Sequence, residues 1–107
     1  MTARIEYKIV HGGTIGGSWY TIERRAGSDA AGVWSPWVPV PRAGTRSTET
    51  PPRINPARFR FTERVDALLV VRRQIAADHA AAARLGLVAT THDHDRDHAL
   101  VATVTVG

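Results

Sequence analysis

Arg58 to Ile75 reads RFRFTERVDALLVVRRQI, and whether this stretch is strand or helix decides what kind of fold the 107-residue chain can make. Taken with a helical period, Val65, Leu68 and Leu69 form the apolar stripe and Arg72 falls inside it, which is a poor amphipathic face. Taken with a period of two, Phe59, Phe61, Val65, Ala67, Leu69, Val71 and Ile75 share one face. Leu68 and Val70 then lie opposite, among Arg58, Arg60, Thr62, Arg64, Asp66 and Arg72. The alternation predicts strands, with a turn or bulge between Glu63 and Asp66 where the apolar face is interrupted. The next residues, AADHAAAARLG from Ala76 to Gly86, have the alanine content of a helix, with Arg84 in its last turn and Gly86 placed to end it.

Working outward, Leu87 to Thr91 and Ala99 to Val106 are β-prone runs on either side of THDHDRDH, so a hairpin with a long polar tip is expected at the C-terminus. At the N-terminus Ile5, Tyr7 and Ile9 alternate with Arg4, Glu6 and Lys8. After HGGTIGGS, Tyr20 and Ile22 alternate with Thr21 and Glu23, which predicts a second hairpin around a glycine-rich turn. Between them, Ala26 to Pro56 carries all six prolines of the chain. Proline lacks a backbone donor and cannot sit inside a helix or a central strand, so this span is expected to be a long loop or arm, with a short edge strand around Val38 to Val40. The sum is one domain over residues 1–107, of α+β class and β-rich. It has antiparallel sheet of about six short strands and one short helix near residues 76–86. An all-β sandwich with a small inserted helix is the nearest alternative.

Composition narrows the chemistry. The absence of cysteine excludes disulfides, thiolate metal sites and cysteine nucleophiles. No apolar run approaches the roughly 20 residues of a membrane span, and MTARIEYKIV lacks the apolar stretch of a signal peptide. The expected location is therefore the cytoplasm or a phage-type particle. The formal net charge is +4, and Arg42 to Arg64 alone holds six arginines against Glu49 and Glu63, which accounts for that excess.

Three features are candidate sites. The first is the histidine and aspartate cluster. In an extended chain His92, His94, Arg96 and His98 face one way, and a tight hairpin would set His92 across from His98, near enough to share a metal. The run resembles the HxHxDH signature of metallo-β-lactamase-like hydrolases, but Asp97 and His98 each arrive one residue late. It also resembles the HxH motif of cupins, with His98 where that family has a glutamate. In both comparisons the downstream ligands have no counterpart among the residues that follow, and a solvated, charge-compensated loop needs no metal.

The second feature is the arginine segment, in which Arg53, Arg58, Arg60 and Arg64 offer a basic surface to a partner, whether protein or nucleic acid. The third is the tryptophan pair of VWSPWVPV, Trp34 and Trp37, three apart in an extended segment where both rings stack on one side. WSPW resembles a fragment of thrombospondin type 1 repeats, a family held together by disulfides that this chain cannot form.

No nucleophile-elbow, paired-acid or cofactor pattern is present, so no catalytic residue, metal ligand, cofactor or small-molecule substrate is assigned. The sequence points to a non-enzymatic interaction or structural module, a subunit of a larger assembly such as a bacteriophage particle component. Its expected contacts are Trp34, Trp37, Arg53, Arg58, Arg60 and Arg64, toward a protein partner or another copy of the chain. A basic nucleic-acid-binding or regulatory protein is the alternative, and a metal-binding protein using the histidine and aspartate loop is the third.

Overall fold

Alternation at the N-terminus produces the ribbon on which the rest is built. Strands β1 (Ala3–Thr14) and β2 (Gly17–Ser28) pair antiparallel from Arg4 opposite Gly27 to Thr14 opposite Gly17. The computed structural model describes residues 3–28, 32–42, 58–94 and 100–107. Along the outer edge of β2 lie three short strands, β3 (Val33–Trp34), β4 (Val38–Val40) and β5 (Arg60–Phe61). On the other side β1 pairs with β7 (Leu100–Val106), which pairs with β6 (Ala89–Asp93), again antiparallel. The result, among the described residues, is an open seven-stranded sheet with a single helix, α1 (Arg64–Arg84), packed on one face. The expected β-rich α+β class therefore holds, and the sandwich alternative does not: the core forms between a sheet and a helix.

The stretch Arg58 to Ile75 departs from its expected strand form. Only Arg60 and Phe61 are strand, and the helix starts at Arg64 and runs 21 residues, well before the expected start near residue 76. Its buried positions are Ala67, Val70, Val71, Gln74, Ile75, Asp78 and Ala82, spaced by three and four as a helix requires. The stripe was hidden because it contains two polar residues, Gln74 and Asp78, while Val65 and Leu69 lie outside it and face solvent. Arg72 does not interrupt the buried stripe; it is exposed and bonded to Asp93 at 2.8 Å. The C-terminal boundary is as expected, with Arg84 in the last turn and Gly86 at φ +71° just beyond Leu85, a left-handed position that suits glycine.

The core is made by Tyr7, Ile9 and Ile22 from the central hairpin, Val40 and Phe61 from the short strands, Val71 and Ile75 from α1, and Ala102 and Val104 from β7. A carboxylate, Asp78, is buried beside them. Asp78 accepts a hydrogen bond from the Tyr7 hydroxyl on one carboxylate oxygen. Its other oxygen receives an Nη of Arg24 at 3.2 Å, and Arg24 Nε donates to the Tyr7 oxygen at 3.1 Å. A lone carboxylate under a helix would be very costly, and here each oxygen has a donor. Burial, reinforced by the Asp78 carboxylate, pushes the Tyr7 hydroxyl well above its ordinary value near 10.

Two outcomes follow. Asp78→Ala leaves the Arg24 Nη and the Tyr7 hydroxyl without their acceptor and is expected to cost about 3–5 kcal/mol, read by urea unfolding. A tyrosine that stays protonated in the fold but ionises when unfolded stabilises below about pH 10 and loses that contribution as pH rises. Stability should therefore fall by about 1.4 kcal/mol per pH unit more steeply between pH 10.5 and 12 in the parent protein than in Tyr7→Phe.

Candidate functional site

The face of the sheet away from α1 carries charge, because alternation sends Glu6 and Lys8 of β1 and Glu23 and Arg25 of β2 to that side. Register sets Glu6 opposite Arg25 and Lys8 opposite Glu23. Arg25 Nε donates to Glu6 Oε1 at 2.7 Å and an Nη of the same guanidinium lies 2.5 Å from that oxygen, while Lys8 Nζ lies 3.1 Å from Glu23. The tryptophans cover this pairing. Arg25 stands 4.3 Å from the Trp34 ring centre and 4.7 Å from that of Trp37, and Lys8 stands 4.1 Å from Trp37. Trp34, Arg25, Trp37 and Lys8 thus form one ladder of rings and cations on the chain's own sheet.

Glycine makes the close seat possible. A Cβ on Gly27 would meet the Val33 carbonyl at 2.4 Å and a Trp34 ring carbon at 2.8 Å. Gly12 serves Trp19 in the same way, with a Cβ position 2.8 Å from the indole nitrogen. Positive φ is therefore not the whole reason for the glycine-rich N-terminal stretch; the tight turn itself is only Ile15 and Gly16.

The arginines named from sequence are separated by the fold. Arg60 faces away from the core, its guanidinium 3.8 Å from the Trp19 ring centre, while Phe59 and Phe61 are buried. Arg64 opens α1 and is half-buried, Arg58 is exposed in the turn before β5, and Arg53 lies outside the described residues. Arg42, which opens the arginine segment counted from sequence, and Arg73, which sequence reasoning passed over, both line a recess with Phe61, Thr62, Asp66, Leu69 and Val70. Arg42 adjoins Arg58 through a backbone hydrogen bond, its N–H donating to the Arg58 carbonyl at 2.6 Å. Only the true helical period would have revealed Arg73, because it places Arg73 one turn after Leu69 on the solvent side.

The histidine cluster is divided. β6 and β7 stay paired past His92, which stands opposite Thr103 and so cannot face His98 across a tight hairpin. His94 continues the ladder through its N–H to Val101, and its ring lies 2.8 Å from the Thr103 hydroxyl and 5.0 Å from the His92 ring centre. Asp95, Asp97 and His98 lie outside the described residues, and among the described residues no group of three metal-ligating side chains converges.

The last feature is an edge. Among the described residues β6 pairs only with β7, so its other side is unpaired. Val88 and Gly107 exchange both backbone hydrogen bonds, and His94 donates to Val101. With a period of two, residues 88, 90, 92 and 94 turn their backbone groups to β7, and Ala89, Thr91 and Asp93 turn theirs outward. Immediately before this edge Leu85, Leu87 and Val88 are 75, 42 and 68% exposed. No helix among the described residues is long and apolar enough to cross a membrane. No protein-family model, curated protein or solved structure matches this chain.

The ladder makes a discriminating prediction. Arg25→Met strips the buried Glu6 carboxylate of its partner and should cost about 3–5 kcal/mol. Lys8→Met breaks a half-exposed pair and should cost about 1 kcal/mol or less, both measured by denaturant unfolding.

Proposed function

We propose that this chain is a non-enzymatic interaction module, a subunit that joins its neighbours in a larger assembly by strand pairing along β6. The observation that carries the reading is the outward edge of Ala89, Thr91 and Asp93 continuing directly from exposed Leu85, Leu87 and Val88. An unpaired edge offers a row of donors and acceptors, and the complement of such a row is another strand. The apolar residues beside it supply the area that hydrogen bonds alone do not, because edge pairing exchanges bonds to water for bonds to protein at small net gain. The occupant is the β6 edge of a second copy or the equivalent edge of a neighbouring subunit.

The nucleic-acid alternative draws less support from the arrangement of charge. Lys8 and Arg25, the cations of the tryptophan-covered face, are each held by a glutamate of the same fold. A strand of phosphates would have to displace Glu6 and Glu23 to reach them.

Light scattering after size exclusion is the test. The parent protein should exceed its monomer mass of 11.7 kDa, and Leu85→Lys with Leu87→Lys should return it to monomer with an unchanged fold. Ala89→Pro removes an outward N–H without touching the bonds to β7 and should also weaken association. A parent protein that remains monomeric at millimolar concentration contradicts the reading. Retention on nucleic acid at low salt, lost as salt rises, would transfer support to the alternative.

A further inference from the structure

The recess between the first turns of α1 and the segment ending at Arg42 lies on the opposite edge of the sheet from β6. Phe61 and Val70 are buried beneath it, and its accessible apolar surface is Leu69, which leaves much of its side chain exposed at the rim. Its walls are polar, with exposed Arg42 and Arg73, the Thr62 residue between β5 and α1, and Asp66 from the first turn of the helix. The volume is about 260 Å3. Small-molecule pockets run to roughly 300–1,000 Å3, so this space takes one or two side chains and not a cofactor.

The arginines are the informative part. Among the described residues, the ion pairs are Lys8 with Glu23, Arg24 with Asp78, Arg25 with Glu6 and Arg72 with Asp93. Each of those cations is used by the fold itself. Arg42 and Arg73 take part in none of them, yet both line one recess that has Leu69 at its rim. Planar guanidinium groups on two walls suit a carboxylate, which accepts paired N–H donors. The exposed side chain of Leu69 suits an aliphatic side chain next to that carboxylate.

We infer that this recess is a docking site for an acidic segment of a partner protein, seating an aliphatic side chain on the exposed Leu69 and the neighbouring carboxylate between Arg42 and Arg73. The choice of a peptide over a metabolite rests on the reading of the chain as an interaction module. Charge complementarity and the size of the recess favour a peptide over nucleic acid. Asp66 stands on the wall and leaves room for a single carboxylate held by the two arginines but not for a continuous run of phosphates, and the buried Phe61 offers no open face on which a base can stack.

The test is a titration of nitrogen-15-labelled protein with the blocked hexapeptide Gly-Glu-Leu-Glu-Leu-Gly, followed by amide resonances. Saturable shifts are expected at Thr62, Leu69, Val70 and Arg73, with binding at least tenfold weaker for the peptide carrying glutamine in place of glutamate. Arg42→Gln with Arg73→Gln should weaken binding at least tenfold while resonances elsewhere keep their positions. The same titration on the Leu85→Lys, Leu87→Lys protein should give the same affinity, so failure of β6 association and failure of this site are read separately. Equal binding of the glutamine peptide, or shifts confined to other surfaces, would overturn the proposal. So would tighter binding of a thymidine oligonucleotide, or of free glutamate, at the same resonances.

Discussion

One buried carboxylate sets the orientation of everything else. Asp78 sits in the middle of the helix stripe that faces the sheet and accepts hydrogen bonds from Tyr7 of β1 and Arg24 of β2, two residues paired across the central hairpin. A helix rotated by one residue would carry Asp78 away from both donors, so the pairing fixes which side of α1 is inward. The outward side is fixed by the same choice. Val65, Leu69, Arg72 and Arg73 therefore face solvent, Arg72 reaches Asp93 at 2.8 Å, and Arg73 closes the recess opposite Arg42. The constraint that builds the core thus also delivers the side chains available to a partner.

A similar division runs through the charges of the sheet. Alternation puts acids and bases on the face opposite α1, register makes them neighbours, and Trp34 and Trp37 cap them so that Arg25 serves a glutamate and two rings at once. That investment stabilises the short strands β3 and β4, which would otherwise be too short to hold a place at a sheet edge. The tryptophans named from sequence as partner contacts stand in this ladder, half-buried on their own domain. Among the described residues, the surfaces proposed for partners are the β6 edge on one side of the sheet and the arginine recess on the other.

Much of the fold was legible because it follows from a period of two. Ile5, Tyr7 and Ile9, the run from Leu100 to Val106, and the short strand at Val38 to Val40 all appear where alternation and proline placement put them. The helix was half legible. Its end was marked by Arg84 and Gly86, but its beginning was concealed because Gln74 and Asp78 occupy buried positions while Val65 and Leu69 do not. A polar residue can hold a buried position only when a distant partner satisfies it, and no local pattern reveals that Asp78 meets residues 54 and 71 positions away. The recess shared this fate: Arg42 and Arg73 are brought together by the helix that alternation disguised. The outward edge of β6 was equally hidden, since a sequence shows that a strand exists but not which of its sides is left unpaired.

Backbone hydrogen exchange along β6, measured at several protein concentrations, tests the pairing of this edge most directly. The amides of residues 90, 92 and 94 are bonded inward and should be protected at every concentration. Those of Ala89, Thr91 and Asp93 should exchange quickly in dilute protein and slow together as concentration rises, since only a neighbouring strand can cover them. Fast exchange of these three amides at all concentrations, beside protected neighbours, would contradict the account.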